Sequence, residues 1–306
     1  MGHKVKNLQM QICDILQQKL RAGVGNSKLQ HKKDGDYKNF IFSYSTYKSY
    51  KKELMIFARY ARETHNCKTL EQARQHADDW IRKRMDEEKK SAFTLKLDVA
   101  ALCKLYGDSA SDYIPTPKRE RKNIKRSRYP VERDKHWSQE KWATYKTFCE
   151  CTGLRKSELR GLSPVSLVRG RECDNPANLP REEHENLWYI IVERGSKGGK
   201  KRLAPIIGTP DEVQLVVDTM QNCTTSRVFP KIPDAADQHF FRSFYAQKCY
   251  LRYARPVDEI PREDRCYRRK DLRKRPPLDK KSLRIVSKFL GHNRESVCRE
   301  FYLGNL

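Results

Sequence analysis

The sequence has no run of about eighteen apolar residues, so nothing in it reads as a membrane span. Its first residues, MGHKVKNLQMQICDIL, are too polar for the apolar segment of a secretory signal. Lys6 stands where a myristoylation motif needs Ser or Thr. The ten cysteines contain no Cys-x-x-Cys pair, and the eight histidines do not combine with them at zinc spacing. Reduced intracellular thiols and no metal centre are therefore expected. There is no internal repeat, and no carboxylate cluster of the kind that holds magnesium. Acidic residues are also in short supply: 39 Asp and Glu stand against 64 Lys and Arg, a net charge of +25. With no membrane signal, such an excess points to a polyanionic partner, and the commonest one inside a cell is nucleic acid.

What is present is enough to fold. Hydrophobic residues make up 37% and aromatics 10% of the 306 residues, which excludes wholesale disorder and leaves room for two domains. Leu8, Ile12, Ile15, Leu16 and Leu20 give one helical pattern that ends at Gly23 and Gly25, followed by a polar stretch to Asn39. Residues 1–39 read either as a DNA-contacting arm or as a helix packed on the next domain. Residues 40–114 carry three amphipathic helices. The first presents Tyr47, Tyr50, Leu54, Phe57 and Ala61 on one face. The second opens with the capping box Thr69-x-x-Gln72 and continues through Ala73, Ala77, Trp80, Ile81 and Arg84. The third runs through Leu95, Val99, Leu102 and Tyr106 to Gly107. Residues 115–134 read as a linker, and its stretch 118–128 is basic at seven positions in eleven. Lys118, Arg119, Arg121, Lys122, Lys125, Arg126 and Arg128 are the candidate contacts to a phosphate backbone.

Residues 135–306 read as mixed, so the fold class expected is mainly α with a small β-sheet (α+β). A helix is predicted over 138–149 and a helix-like segment over 152–162. The apolar runs LWYIIVE (187–193) and RLAPII (202–207) flank SKGGK as a β-hairpin. A further helix starts at Asp211, and a second basic block, 265–275, is closed by Pro276-Pro277.

Four pieces of this half carry chemistry. They are TGLRKSEL with Arg155, the hairpin tip with Lys197, His239-Phe240-Phe241-Arg242, and Leu290-Gly291-His292 followed ten residues later by Tyr302. Taken singly each has a plain structural reading. Arg155 is a helix-start arginine answered by Glu158, Lys197 a solvated turn, His239 a partly buried histidine, Tyr302 an aromatic on the core. Taken together they can do more. Two guanidiniums can bracket a phosphate and stabilise the extra charge of a pentavalent transition state. A tyrosine can attack the phosphorus and conserve the bond energy in a phosphotyrosine. A lysine can protonate the leaving oxygen, and histidines can orient the phosphate or carry the nucleophile's proton.

In this order the motifs resemble the tyrosine recombinase (phage integrase) family, over about residues 135–302. The resemblance implies a helical core-binding domain at 40–114 and a catalytic domain at 135–306. It implies Arg155 and Arg242 as phosphate-binding arginines, Lys197 as general acid, His239 and His292 as supporting histidines, and Tyr302 as the nucleophile. It further implies no cofactor, neither metal nor ATP. The partner would be double-stranded DNA with short inverted-repeat core sites, bound by a homotetramer on two sites that is monomeric or dimeric when free. An integrase or transposase of a bacterial or phage mobile element, cytoplasmic and nucleoid-associated, is the expected role. A type IB topoisomerase and a non-catalytic DNA-binding regulator of the same fold are the rival readings. The chain departs from the family in two places. Forty-nine residues separate Arg242 from His292, read as an inserted basic loop at about 255–277, and only four residues follow Tyr302. Lys200 and Lys201 compete with Lys197 for the general-acid position.

Overall fold

The first apolar period builds helix α1 (Leu8–Gly23), capped by the Asn7 side chain, which accepts from the backbone N–H of Met10. A computed structural model describes residues 6–120, 137–193, 201–267, 275–292 and 294–303. It divides the chain into two compact units, Met1–Lys125 and Arg126–Leu306. In the first unit Leu8, Ile12 and Leu16 of α1 are buried in one core with Leu54 and Phe57 of α3 (Tyr44–His65), Trp80 and Ile81 of α5 (Ala77–Asp86) and Leu102 of α6 (Ala92–Tyr106). The helix of the 1–39 segment thus shares the hydrophobic core of the helices that follow it. The polar stretch after it forms the short helix α2 (Lys28–Lys33) and a turn at Tyr37–Asn39. That turn is held from α6, because the Lys104 ammonium donates to the carbonyls of Tyr37 (3.0 Å), Lys38 (2.8 Å) and Phe40 (3.0 Å). Burial, with other lysines nearby, brings Lys104 down to about 8.

The single helix predicted after Thr69 is two. Thr69 and Gln72 form the expected capping box, but α4 (Leu70–Arg74) stops before α5. His76 leaves helical dihedrals at the break, and its ring stacks on His65 with centroids 3.6 Å apart. Arg84 points inward: its guanidinium bonds Glu53 (2.8 Å) and Asp98 (3.1 Å) and lies over the Trp80 ring. A buried arginine on an otherwise apolar face is tolerable because both carboxylates are buried with it.

The second unit is built on both faces of a three-stranded antiparallel sheet ordered β1 (Leu167–Arg169), β2 (Trp188–Val192), β3 (Arg202–Pro205). Ile190 pairs with Ala204 on one side and Leu167 on the other. Because side chains alternate along β2, Ile190 and Val192 enter one core with Phe148 of α7 (Ala143–Thr152) and Val216 of α10 (Pro210–Gln221). Tyr189 enters the other with Tyr245 of α11 (Gln238–Tyr253) and Leu283 and Phe289 of α12 (Lys280–Phe289). Burial on both faces explains why WYIIV is an unbroken apolar run. The helix-like segment around Arg155 is short, α8 (Lys156–Leu159), and α9 (Arg181–Asn186) precedes β2. Strand β1, three residues long, is too short to show a period in the sequence.

The described residues on either side of 268–274 are structured. Strand β4 (Arg265–Cys266) pairs antiparallel with β5 (Leu278–Asp279), Ile260 is buried, and Arg255 clamps Asp279 and Asp264. Helix α13 (Glu295–Phe301) leads to Tyr302. Mainly α with a small sheet is therefore the observed class. All ten cysteines are free thiols, and among the described residues no helix is long and apolar enough to cross a membrane.

Candidate active site

The site is organised by the end of α12. Gly291, at φ +66°, turns the chain left-handed, and the N–H groups of Gly291 and His292 return to the carbonyls of Lys288 (2.9 Å) and Ser287 (2.8 Å). This is the ending that a glycine just past a helix produces, and it explains the Leu-Gly-His wording. It satisfies two carbonyls and leaves the next two, of Phe289 and Leu290, at the negative pole of the helix. Three guanidiniums fill that deficit. Arg202 Nη1 donates to Phe289 O (2.5 Å), while Arg155 Nη2 (3.3 Å) and Arg242 Nη2 both donate to Leu290 O.

Each arginine is fixed a second time. Gly153, left-handed at the end of α7, brings the chain directly to Arg155, and its carbonyl accepts from Arg242 Nη1. A side chain at Gly153 would overlap the Tyr245 ring. Arg155 sits at the start of α8, where its backbone N–H (2.8 Å) and Nη1 (2.6 Å) donate to the two oxygens of Glu158. The Glu158 side chain is 1% exposed and also accepts from Arg202 Nη2 (2.7 Å) and Nε (3.4 Å). Burial alone would raise its carboxyl, but Arg202 foremost, then Arg242 and the Arg155 N–H, hold it at about 2. Three guanidiniums against one carboxylate leave two positive charges in excess.

Tyr302 closes the arrangement. Its side chain lies against Arg242, whose Nε donates to the phenolic oxygen at 3.3 Å, and its ring is 5.7 Å from the His292 ring. The Tyr302 carbonyl accepts from Ser243 Oγ (2.8 Å) and Gln247 Nε2 (3.3 Å), which anchor the chain end to α11. Arg242 is fully buried; burial and the charges of Arg202 and Arg155 lower it to about 10, so it stays cationic at neutral pH. Burial and the guanidiniums of Arg242, Arg155 and Arg202 lower His292 to about 4, so its imidazole is neutral. His292 Nε2 is buried with no hydrogen-bond partner among the described residues.

Arg155, Arg242, His292 and Tyr302, which stand far apart in the sequence, are thus joined by direct contacts and shared acceptors. His239 is exposed in the first turn of α11, one turn ahead of Arg242. Lys197 lies outside the described residues. Of its competitors, Lys200 lies outside them too, and Lys201 is exposed and paired with Glu193 at 2.9 Å. Lys118 and Arg119 are exposed at the end of the first unit, with Arg119 5.7 Å from the Phe93 ring centroid. Arg121, Lys122, Lys125, Arg126 and Arg128 lie outside the described residues. The sequence reading missed Arg202. Its signal was available, a charged residue opening an otherwise apolar strand, but nothing local says which way it faces.

No family model and no curated protein sequence matches the chain. Among solved structures, the chain is similar to the Tn1549 transposon integrase in complex with transposon right end DNA, at 13% identity and a TM-score of 0.46, over 95% of this chain and 94% of that one. It is also similar to the XerH site-specific recombinase bound to its difH substrate, at 14% identity and a TM-score of 0.47, over 98% of this chain and 96% of that one.

Proposed function

We propose that the chain is a tyrosine recombinase that cuts and rejoins DNA through a 3′-phosphotyrosine intermediate. The observation that carries the reading is the convergence of the Arg155 and Arg242 guanidiniums on one carbonyl oxygen, with the Tyr302 hydroxyl on Arg242 and an unpartnered imidazole nitrogen beside it. Two guanidiniums held this close together can donate paired hydrogen bonds to the oxygens of a phosphate.

In the proposed reaction Tyr302 Oη attacks the phosphorus, the P–Oη bond forms, and the bond to the 5′-oxygen breaks. His292, neutral with Nε2 unpartnered, takes the phenolic proton. Arg155 and Arg242 meet the second negative charge that develops on the phosphoryl oxygens, matching the two-charge excess of the site. Lys197 supplies the proton to the departing 5′-oxygen, and His239 supports the phosphate from α11; both roles rest on the family resemblance. The reverse reaction on a partner strand, with four protomers on two inverted-repeat sites, completes strand exchange. Integration or excision of a mobile element is the role we assign, with the 118–128 stretch along the DNA backbone.

Covalent trapping tests this. The full chain is incubated with fragmented genomic DNA of its host and denatured in detergent, and protein-linked fragments are sequenced beside those from Tyr302→Phe. Adducts that cluster at one short inverted repeat and vanish in the variant are expected. Dispersed adducts would indicate a topoisomerase, and adducts that survive in Tyr302→Phe would remove Tyr302 from its role.

A further inference from the structure

We propose that Arg202 is a positioning residue for strand cleavage: it sets the Arg155 guanidinium through Glu158 and the end of α12 through the Phe289 carbonyl. The inference rests on the recombinase reading above and adds to it a residue that touches neither DNA nor the reacting atoms.

Arg202 spends its donors away from the phosphate position. Nε and Nη2 go to the two oxygens of Glu158, and Nη1 goes to Phe289 O. Glu158 in turn presents both oxygens to Arg155, one to the backbone N–H and one to Nη1. With its carboxylate held from behind, Glu158 fixes Arg155 in one rotamer and leaves other guanidinium hydrogens of Arg155 for a ligand. The second hold, on Phe289 O, fixes the carbonyl next to Leu290 O, on which Arg155 and Arg242 converge.

Stability alone does not account for this residue. Its side chain is 6% exposed and lies close enough to Arg242 and His292 to disfavour the charged forms of both. A buried guanidinium among like charges costs free energy that an apolar side chain in the same strand would not. The chain also leaves room for it, because a Cβ at Gly291 would come within 2.6 Å of Arg202 Cδ. A lysine could not replace it, since one ammonium lacks the planar fork that reaches a carboxylate and a carbonyl together.

The test is a double-mutant cycle on the full chain, read as the single-turnover rate of covalent adduct formation on the trapped DNA site. Arg202→Met is expected to slow adduct formation by roughly 10²-fold, the order expected when a remote change misplaces a catalytic group. Affinity for the duplex should be unchanged. If Arg202 acts through Arg155, the Arg155→Ala, Arg202→Met double variant is no slower than Arg155→Ala, whereas a merely destabilised fold loses the same factor in either background. The slowing in Arg202→Met should deepen as pH falls from 7 towards 5, because a buried Glu158 without Arg202 takes up a proton more readily. Arg202→Lys, which keeps the buried charge if the methionine variant does not fold, should be slowed as well. Multiplicative losses in the double variant, or a wild-type rate for Arg202→Lys, would overturn the proposal and leave the recombinase reading intact. No adduct from the unaltered chain would overturn both.

Discussion

Replacing Glu158 by glutamine removes the carboxylate that Arg155 and Arg202 share and tests the electrostatic account of the site. Two routes give the size of the effect. The Glu158 carboxylate accepts four hydrogen bonds from Arg155 and Arg202, and its side chain is 1% exposed. Removing one partner of a buried ion pair costs about 3–5 kcal/mol, because the remaining charges stay buried and uncompensated. Independently, a carboxyl with an ordinary value of 4.5 held at about 2 in the folded chain is worth roughly 3 kcal/mol above pH 4.5. The isosteric amide offers one weak acceptor and turns an N–H₂ toward arginine donors, so the loss should be close to complete. Denaturant unfolding followed by tryptophan fluorescence is a suitable assay, because Trp137, Trp142 and Trp188 all lie in the second unit. At pH 7 Glu158→Gln should be less stable by about 3 kcal/mol, a melting shift of roughly 6–12 °C for a unit of this size. The depressed carboxyl stabilises the fold above pH 4.5 and ceases to do so as pH falls through about 2. The gap between the two proteins should therefore narrow by roughly 1.4 kcal/mol per pH unit below 4.5. A difference below about 1 kcal/mol at pH 7, or one that does not change with pH, would refute the reasoning.

Two further outcomes follow from the same geometry. His292 should titrate well below the ordinary 6.5 in the free chain, near 4, as read from its imidazole resonances by NMR. Since the unfolded chain protonates first, His292 makes the fold less stable as pH falls from 6.5 towards 4, and a titration midpoint at or above 6.5 would contradict the buried, arginine-flanked environment. Gly291→Ala combines a left-handed backbone position with a Cβ against Arg202, so it should cost about 1–3 kcal/mol in unfolding measurements. It should also slow adduct formation as Arg202→Met does, and an alanine variant of unchanged stability would show that Arg202 is not pinned.

The four-part signature and the mainly α class with a small sheet were legible in the residues themselves. So were the capping box at Thr69 and the helix end at Gly107. These are local features: the period of apolar side chains and the backbone freedom of glycine are written within a few positions of where they act. The break at His76 was not legible, and neither was the stacking of its ring on His65, eleven residues away. The ion pairs of Arg84 were not legible either, because its partners Glu53 and Asp98 come from two other helices. The same holds at the site. Sequence alone named Arg155, Arg242, His292 and Tyr302, but only the tertiary structure decided that Phe289 and Leu290 would offer bare carbonyls to three arginines. It alone drew Arg202 from the sheet and made Glu158 their shared counter-ion, since electrostatic partnership depends on distance and burial, which a linear order of residues does not contain.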